Sequence, residues 1–310
     1  MRTGDGRRSL PAGGGLPLRW SDGGAAGASL ARAALAEAAT QLRDAGVEGP
    51  VREARLLLRW AAGGGAAAAL PGDTDELAPD VAARFAAAVA QREAREPFAY
   101  ITGEREFFGL PFAVGPAVLI PRPETELLVT EGLRFIGDRP AEVVDMGTGS
   151  GCIAIALAVH APAARIWAVD ISGAALEVCS ENAVRHGVGE RVVPIPGDLW
   201  RAGLPSELEG RLDLVLSNPP YVTSADWAAL EPEVRLYEPK RALVPEVDDV
   251  YTPLAEGTRQ WLRRGGLLAC EVGVGEAEGV AETLRRCGFR DVACVPDLAG
   301  VPRVVRGVRA

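Results

Sequence analysis

The pentapeptide Gly147-Thr148-Gly149-Ser150-Gly151 constrains the fold of this chain more than any other stretch. It follows an apolar run over 143–146 that contains Asp145, and it precedes an apolar segment over 152–159. That order predicts a strand entering a helix through a glycine-rich turn. Glycines let backbone approach a bound group closely, and the helix N-terminus beyond them favours negative charge. The alternation recurs downstream. Strands are predicted over 166–169, 192–195, 212–217 and 266–272, helices over 174–186, 251–263 and 276–287, and closing strands over 289–295 and 303–308. The spacing predicts an α/β fold: a Rossmann-like, mostly parallel sheet covered on both faces, with an antiparallel hairpin at one edge.

Upstream the character differs. Residues 1–28 are rich in Gly, Arg and Ser without periodicity and are expected to form a disordered tail. Ala- and Leu-rich segments over 30–45, 51–62 and 81–94 carry helical spacing, so 29–95 is expected to be a small helical bundle. It holds no catalytic cluster, which points to partner binding or structural support. Residues 96–120 are expected to connect the two domains, with Phe98, Tyr100, Phe107, Phe108 and Phe112 in a β-hairpin punctuated by Gly103, Gly109 and Pro111. The second domain is then expected to span 121–310. It opens on Pro121-Arg122-Pro123-Glu124-Thr125-Glu126, either a helix start or a lid over a site.

A net charge of −9 argues against broad electrostatic capture of nucleic acid. Five cysteines without C-x-x-C spacing, Cys152, Cys179, Cys270, Cys287 and Cys294, read as reduced side chains, and with only His160 and His186 as histidines no metal site is expected. No segment has the length of a signal peptide's apolar core or of a membrane span, so the expectation is a cytoplasmic protein with no membrane partner.

In an open parallel sheet, ligands bind beyond the carboxyl ends of the strands, and the polar signals here fall at such ends. Gly147, Thr148, Gly149, Ser150 and Gly151 follow the first strand, Asp170 ends the second, and Asp198 follows the third. They describe a cradle for a carboxylate-bearing tail, a partner for ribose hydroxyls and an acceptor for an adenine amine, with Leu199 or Trp200 packing on the ring. NAD and S-adenosylmethionine share these features. The spacing Gly-x-Gly-x-Gly, in place of Gly-x-Gly-x-x-Gly, favours the methyl donor. The fourth strand ends at Asn218-Pro219-Pro220-Tyr221. Two prolines stiffen that loop, so that the Asn218 and Pro219 carbonyls and the Asn218 side-chain oxygen could accept both hydrogens of an –NH2 group while Tyr221 covers its face.

Taken together, Arg95-Glu96-Pro97, Tyr100-Ile101-x-Gly103, Phe107, Gly109, residues 118–126, Asp145 to Gly151, Asn218 to Tyr221, Glu238-Pro239 and Ala242-Leu243 resemble the HemK/PrmC-type protein-(glutamine-N5) methyltransferases, nearest the release-factor-specific branch. The resemblance runs from about Leu30 to the C-terminus. It implies a class I S-adenosylmethionine-dependent methyltransferase fold acting on the Gly-Gly-Gln glutamine of peptide-chain release factors; separately, a monomer without direct contact to nucleic acid is expected. The resemblance further implies that residues 218–221 hold that glutamine, that residues 147–151 and Asp170 bind the donor, and that the bundle helps dock the release factor. Three places depart from the family pattern: 244–249 replaces a Gly-Gly-x-Asp-Gly turn, Glu276 stands where Gln is usual, and Leu199 where an aromatic residue is common. The alternatives are methylation of an exocyclic amine in nucleic acid, a diverged paralogue acting on another protein's glutamine, and a silent binding module.

Overall fold

The computed structural model describes residues 30–64, 75–198 and 203–310; the expected tail over 1–28 and the candidate Leu199 lie outside them. The chain divides into two compact units between Thr102 and Gly103.

The first unit is helical: α1 (Ala31–Asp44), α2 (Pro50–Ala61), α3 (Pro79–Glu93) and α4 (Phe98–Thr102). Leu42, Leu57, Leu58, Phe85 and Val89 form its core, and buried Arg92 pairs with Glu53 at 2.7 Å. The helix α4 corrects the expected hairpin over 96–120. Aromatic residues there imitate a strand, but Pro97 accepts the Tyr100 and Ile101 amides at 2.9 and 3.1 Å, and Phe98 and Ile101, one helical turn apart, both join the helical core. The hairpin itself is shorter, β1 (Glu104–Phe107) with β2 (Leu110–Ala113).

The second unit holds a seven-stranded sheet. Its strands are β3 (Ala141–Met146), β4 (Ala164–Asp170), β5 (Val192–Pro196), β6 (Leu212–Ser217), β7 (Leu262–Glu271), β8 (Phe289–Pro296) and β9 (Pro302–Arg309). The order is β5-β4-β3-β6-β7-β9-β8, parallel except where β9 meets β7 and β8. The period of two divides the buried side chains between the faces: Val143, Leu214, Leu216 and Leu267 enter one core, and Val144, Val215 and Leu268 the other. Helices α5 (Glu126–Ile136), α6 (Cys152–His160), α7 (Gly173–Arg185), α10 (Tyr251–Arg259) and α11 (Ala277–Arg286) cover those faces, and two short helices, α8 (Ser224–Trp227) and α9 (Pro232–Tyr237), follow β6.

One boundary moves. The helix expected over 251–263 stops at Arg259 and β7 begins at Leu262, because Arg263 turns its Nε onto Asp213 in β6 at 2.8 Å and the strand carries an irregularity beside Leu212. Gly266 fits there because a Cβ would stand 2.9 Å from the Leu212 carbonyl oxygen. After β3 the chain builds outward through β4 and β5, then returns to place β6 on the other side of β3. That reversal opens a crevice at the carboxyl ends of β3 and β6.

Candidate active site

The crevice is a cavity of about 400 Å3. Its wall includes Gly147, Thr148, Gly149, Ser150, Asp170, Asp198, Asn218 and Pro220, so residues from four strand ends meet around one space.

The glycine-rich turn is fastened by the protein's own hydrogen bonds. The Gly147 and Thr148 amides donate to the Val169 carbonyl at 2.8 and 2.9 Å, which ties the loop to the end of β4. Thr148 Oγ1 and the Ala154 amide both donate to Asp145 Oδ2, at 2.6 and 3.2 Å. Asp145 is fully buried and its Oδ1 has no hydrogen-bond partner among the described residues; burial pushes its carboxyl up to about 7. The second and third glycines serve different ends. A Cβ on Gly149 would meet nothing within 4 Å, whereas one on Gly151 would lie 2.7 Å from Cys179 Sγ. Gly149, with φ of +54°, borders the cavity, and Gly151, with φ of +81°, lets α6 pack on α7.

Asp170 is gripped by backbone: the Gly149 amide donates to Oδ2 and the Ser172 amide to Oδ1, both at 2.9 Å. The carboxylate held in this way lines the cavity. Burial raises its carboxyl above the usual range against those hydrogen bonds.

At the end of β6, Asn218 is half-buried and Pro219 is buried. Asn218 Nδ2 donates to Thr125 Oγ1 at 3.1 Å, and Thr125 Oγ1 donates to Glu271 Oε2 at 2.6 Å. Tyr221 directs its hydroxyl to Glu271 Oε1 at 3.0 Å, and burial beside that carboxylate raises its pKa. Sequence reasoning did not assign roles to Thr125 or Glu271. Glu271 ends a parallel strand, so the strand-end rule that found Asp170 also points to it.

The segment read as a helix start or lid lines the cavity at Pro121, Arg122 and Thr125 and is tied down from beneath. Buried Glu238 accepts from the Ile120 amide at 3.0 Å and from Arg122 at 2.5 Å. The departing turn over 244–249 supplies Pro245 and Glu246 to the same wall, where Glu246 pairs with Arg241 at 3.2 Å. Glu276 accepts from the Gly273 amide and the Tyr251 hydroxyl, both at 3.0 Å, so this departure fastens a loop to α10.

Residues 33–103 match the family described as PrmC N-terminal domain, and residues 125–232 match the Methyltransferase small domain. The release factor glutamine methyltransferase of Cereibacter sphaeroides is 43% identical over 88% of this chain and 96% of its own length. This chain belongs to the release factor glutamine methyltransferase family. The Moorella thermoacetica member of that family is 42% identical over 88% of the chain and 96% of its own. Among solved structures, the hMettl16 catalytic domain in complex with MAT2A 3'UTR hairpin 6 is 16% identical with a TM-score of 0.53, covering 74% of this chain and 82% of that one. At that identity the likeness concerns the methyltransferase fold, which matches the seven-stranded, mostly parallel sheet expected from the sequence.

Proposed function

We propose that the enzyme transfers a methyl group from S-adenosylmethionine to the side-chain amide nitrogen of the Gly-Gly-Gln glutamine in peptide-chain release factors. The observation that carries this is the placement of the Asn218 amide, held by Thr125, at the end of the strand adjoining the glycine-rich turn. The residues present fit the donor: Gly149 leaves open space in the cradle, and Asp170 offers two oriented oxygens across the same cavity. When bound, S-adenosylmethionine supplies an electrophilic methyl group on a positively charged sulfur.

The chain's own residues supply position. Gly147 to Gly151 and Asp170 seat the donor, with Asp198 at its adenine end. Asn218 Oδ1 and the Pro219 carbonyl accept the hydrogens of the glutamine –NH2, which aims the nitrogen lone pair at the methyl carbon. Prolines at 219 and 220 keep those acceptors rigid. An amide nitrogen is a weak nucleophile while its lone pair is delocalised, so acceptors that hold it better as it pyramidalises lower the barrier. Held by the glycine-rich turn and Asp170, the donor would supply the methyl group and leave as the neutral thioether, while Asn218 and Pro219 keep the amide nitrogen in place and its displaced proton passes to solvent. The reaction calls on no metal and no general base.

The helical unit is read as the release-factor dock, and the net charge of −9 favours a protein acceptor over nucleic acid. The enzyme is read as a monomer working in the cytoplasm, where release factors act; no helix among the described residues is long and apolar enough to cross a membrane. Transfer of labelled methyl to an intact release factor, compared with one whose motif glutamine is replaced by glutamate, tests the reading. Label on the first alone supports it; equal label on both overturns it.

A further inference from the structure

The carboxylate of Glu271, 2% exposed, dictates the direction of every hydrogen bond around it. An ionised carboxylate only accepts. Both neighbours direct a hydroxyl at it: Thr125 Oγ1 at 2.6 Å and Tyr221 at 3.0 Å. Burial pushes the Glu271 carboxyl up, while these two donors favour its ionised form. With its single proton committed to Glu271, the Thr125 hydroxyl has only lone pairs to offer Asn218. The Asn218 amide must meet it with Nδ2, which it does at 3.1 Å, and no other hydrogen bond fixes that amide among the described residues. Reversing the amide would set Oδ1 against an oxygen lone pair and turn two donors toward the cavity, where a second –NH2 group could not be bound.

We propose that Glu271, working through Thr125, is the positioning residue that holds the accepting end of Asn218 toward the substrate amide. This rests on the amide-methylation reading above. The three residues come from α5's entry turn, β6 and β7, so the relay also couples the wall segment over 121–125 to the strand ends. A chain of hydrogen bonds that ends on a buried carboxylate polarises each member, which makes Asn218 Oδ1 a stronger acceptor as charge develops on the nitrogen. Glu271→Gln puts an amide donor beside Thr125, frees the hydroxyl to donate to Asn218, and allows the amide to reverse.

The test uses the full-length enzyme with an intact release factor and S-adenosylmethionine. Thr125→Val, which keeps the shape and removes the hydroxyl, is expected to lower kcat about 10–100-fold, with KM for the release factor and Kd for S-adenosylmethionine, by calorimetry, within about twofold of wild type. Thr125→Ser should restore kcat, and Glu271→Gln should fall with Thr125→Val. In an Asn218→Ala background Thr125→Val should cost nothing further, since its effect passes through Asn218. Wild-type kcat in Thr125→Val, or an equal loss in the Asn218→Ala background, overturns the proposal. A wild-type enzyme that binds the donor but leaves the Gly-Gly-Gln glutamine unmodified overturns the functional reading, and this proposal with it.

Discussion

Ser217 donates its hydroxyl to the Met146 carbonyl at 2.9 Å, and the two residues are register partners across β6 and β3. Met146 is followed at once by the glycine-rich turn and Ser217 by Asn218, so this one bond pins the donor cradle to the acceptor loop. Ser217→Ala leaves a buried carbonyl without its partner and should cost about 1–3 kcal/mol in urea unfolding. Turnover should fall with it, because the two half-sites lose their common anchor. Unchanged stability and rate would show that the strand ladder alone holds them.

Asp170→Asn replaces a carboxylate oxygen that accepts a backbone amide with an –NH2 group that cannot. Either Gly149 or Ser172 then faces a donor. Donor affinity should weaken about 10–100-fold, since hydrogen bonds to charged groups are worth about 1.5–3 kcal/mol and each 1.4 kcal/mol is tenfold. Calorimetry with S-adenosylmethionine reads this directly; wild-type affinity would place the ribose elsewhere.

Gly151→Ala sets a Cβ 2.7 Å from Cys179 Sγ at a φ of +81°. Backbone strain and overpacking should each cost about 1–3 kcal/mol. Adding Cys179→Ala should recover only part of the packing share, because the contact with Ile155 Cδ1 at 2.9 Å and the backbone strain both stay. Full recovery in the double variant would contradict the strain argument.

Asp145 gives stability a pH dependence of definite sign. Its carboxyl is raised from 3.8 to about 7 by burial, so between those values the folded chain keeps a proton that the unfolded chain has released. That contribution is full below the lower value and is lost as pH rises through about 7. Asp145→Asn should therefore lose less stability than wild type between about pH 5 and about pH 8. Parallel losses in the two proteins would show that Asp145 ionises normally.

The sheet was readable because its apolar runs stop abruptly at Asp170, at Gly197-Asp198 and at Asn218-Pro219, where strand, turn and ligand chemistry coincide. The helix α4 was not, since Phe98 and Tyr100 favour strands and only packing against the helical core decides between the two. The tether of Asn218 was hidden for another reason. Thr125 and Glu271 are 146 residues apart and touch only because α5 and β7 pack together. Tyr221 shows the same limit: its place in the loop was legible, but the direction of its hydroxyl, toward Glu271, depends on that distant carboxylate.

The central claim is that this site methylates an amide nitrogen held by Asn218. The most direct measurement is the mass of the tryptic Gly-Gly-Gln peptide from an intact release factor incubated with the enzyme and S-adenosylmethionine. A gain of one methyl on the glutamine, lost with Asn218→Ala while donor affinity persists, is the predicted result. An unmodified peptide from a donor-bound wild-type enzyme, or an undiminished gain with Asn218→Ala, would contradict it.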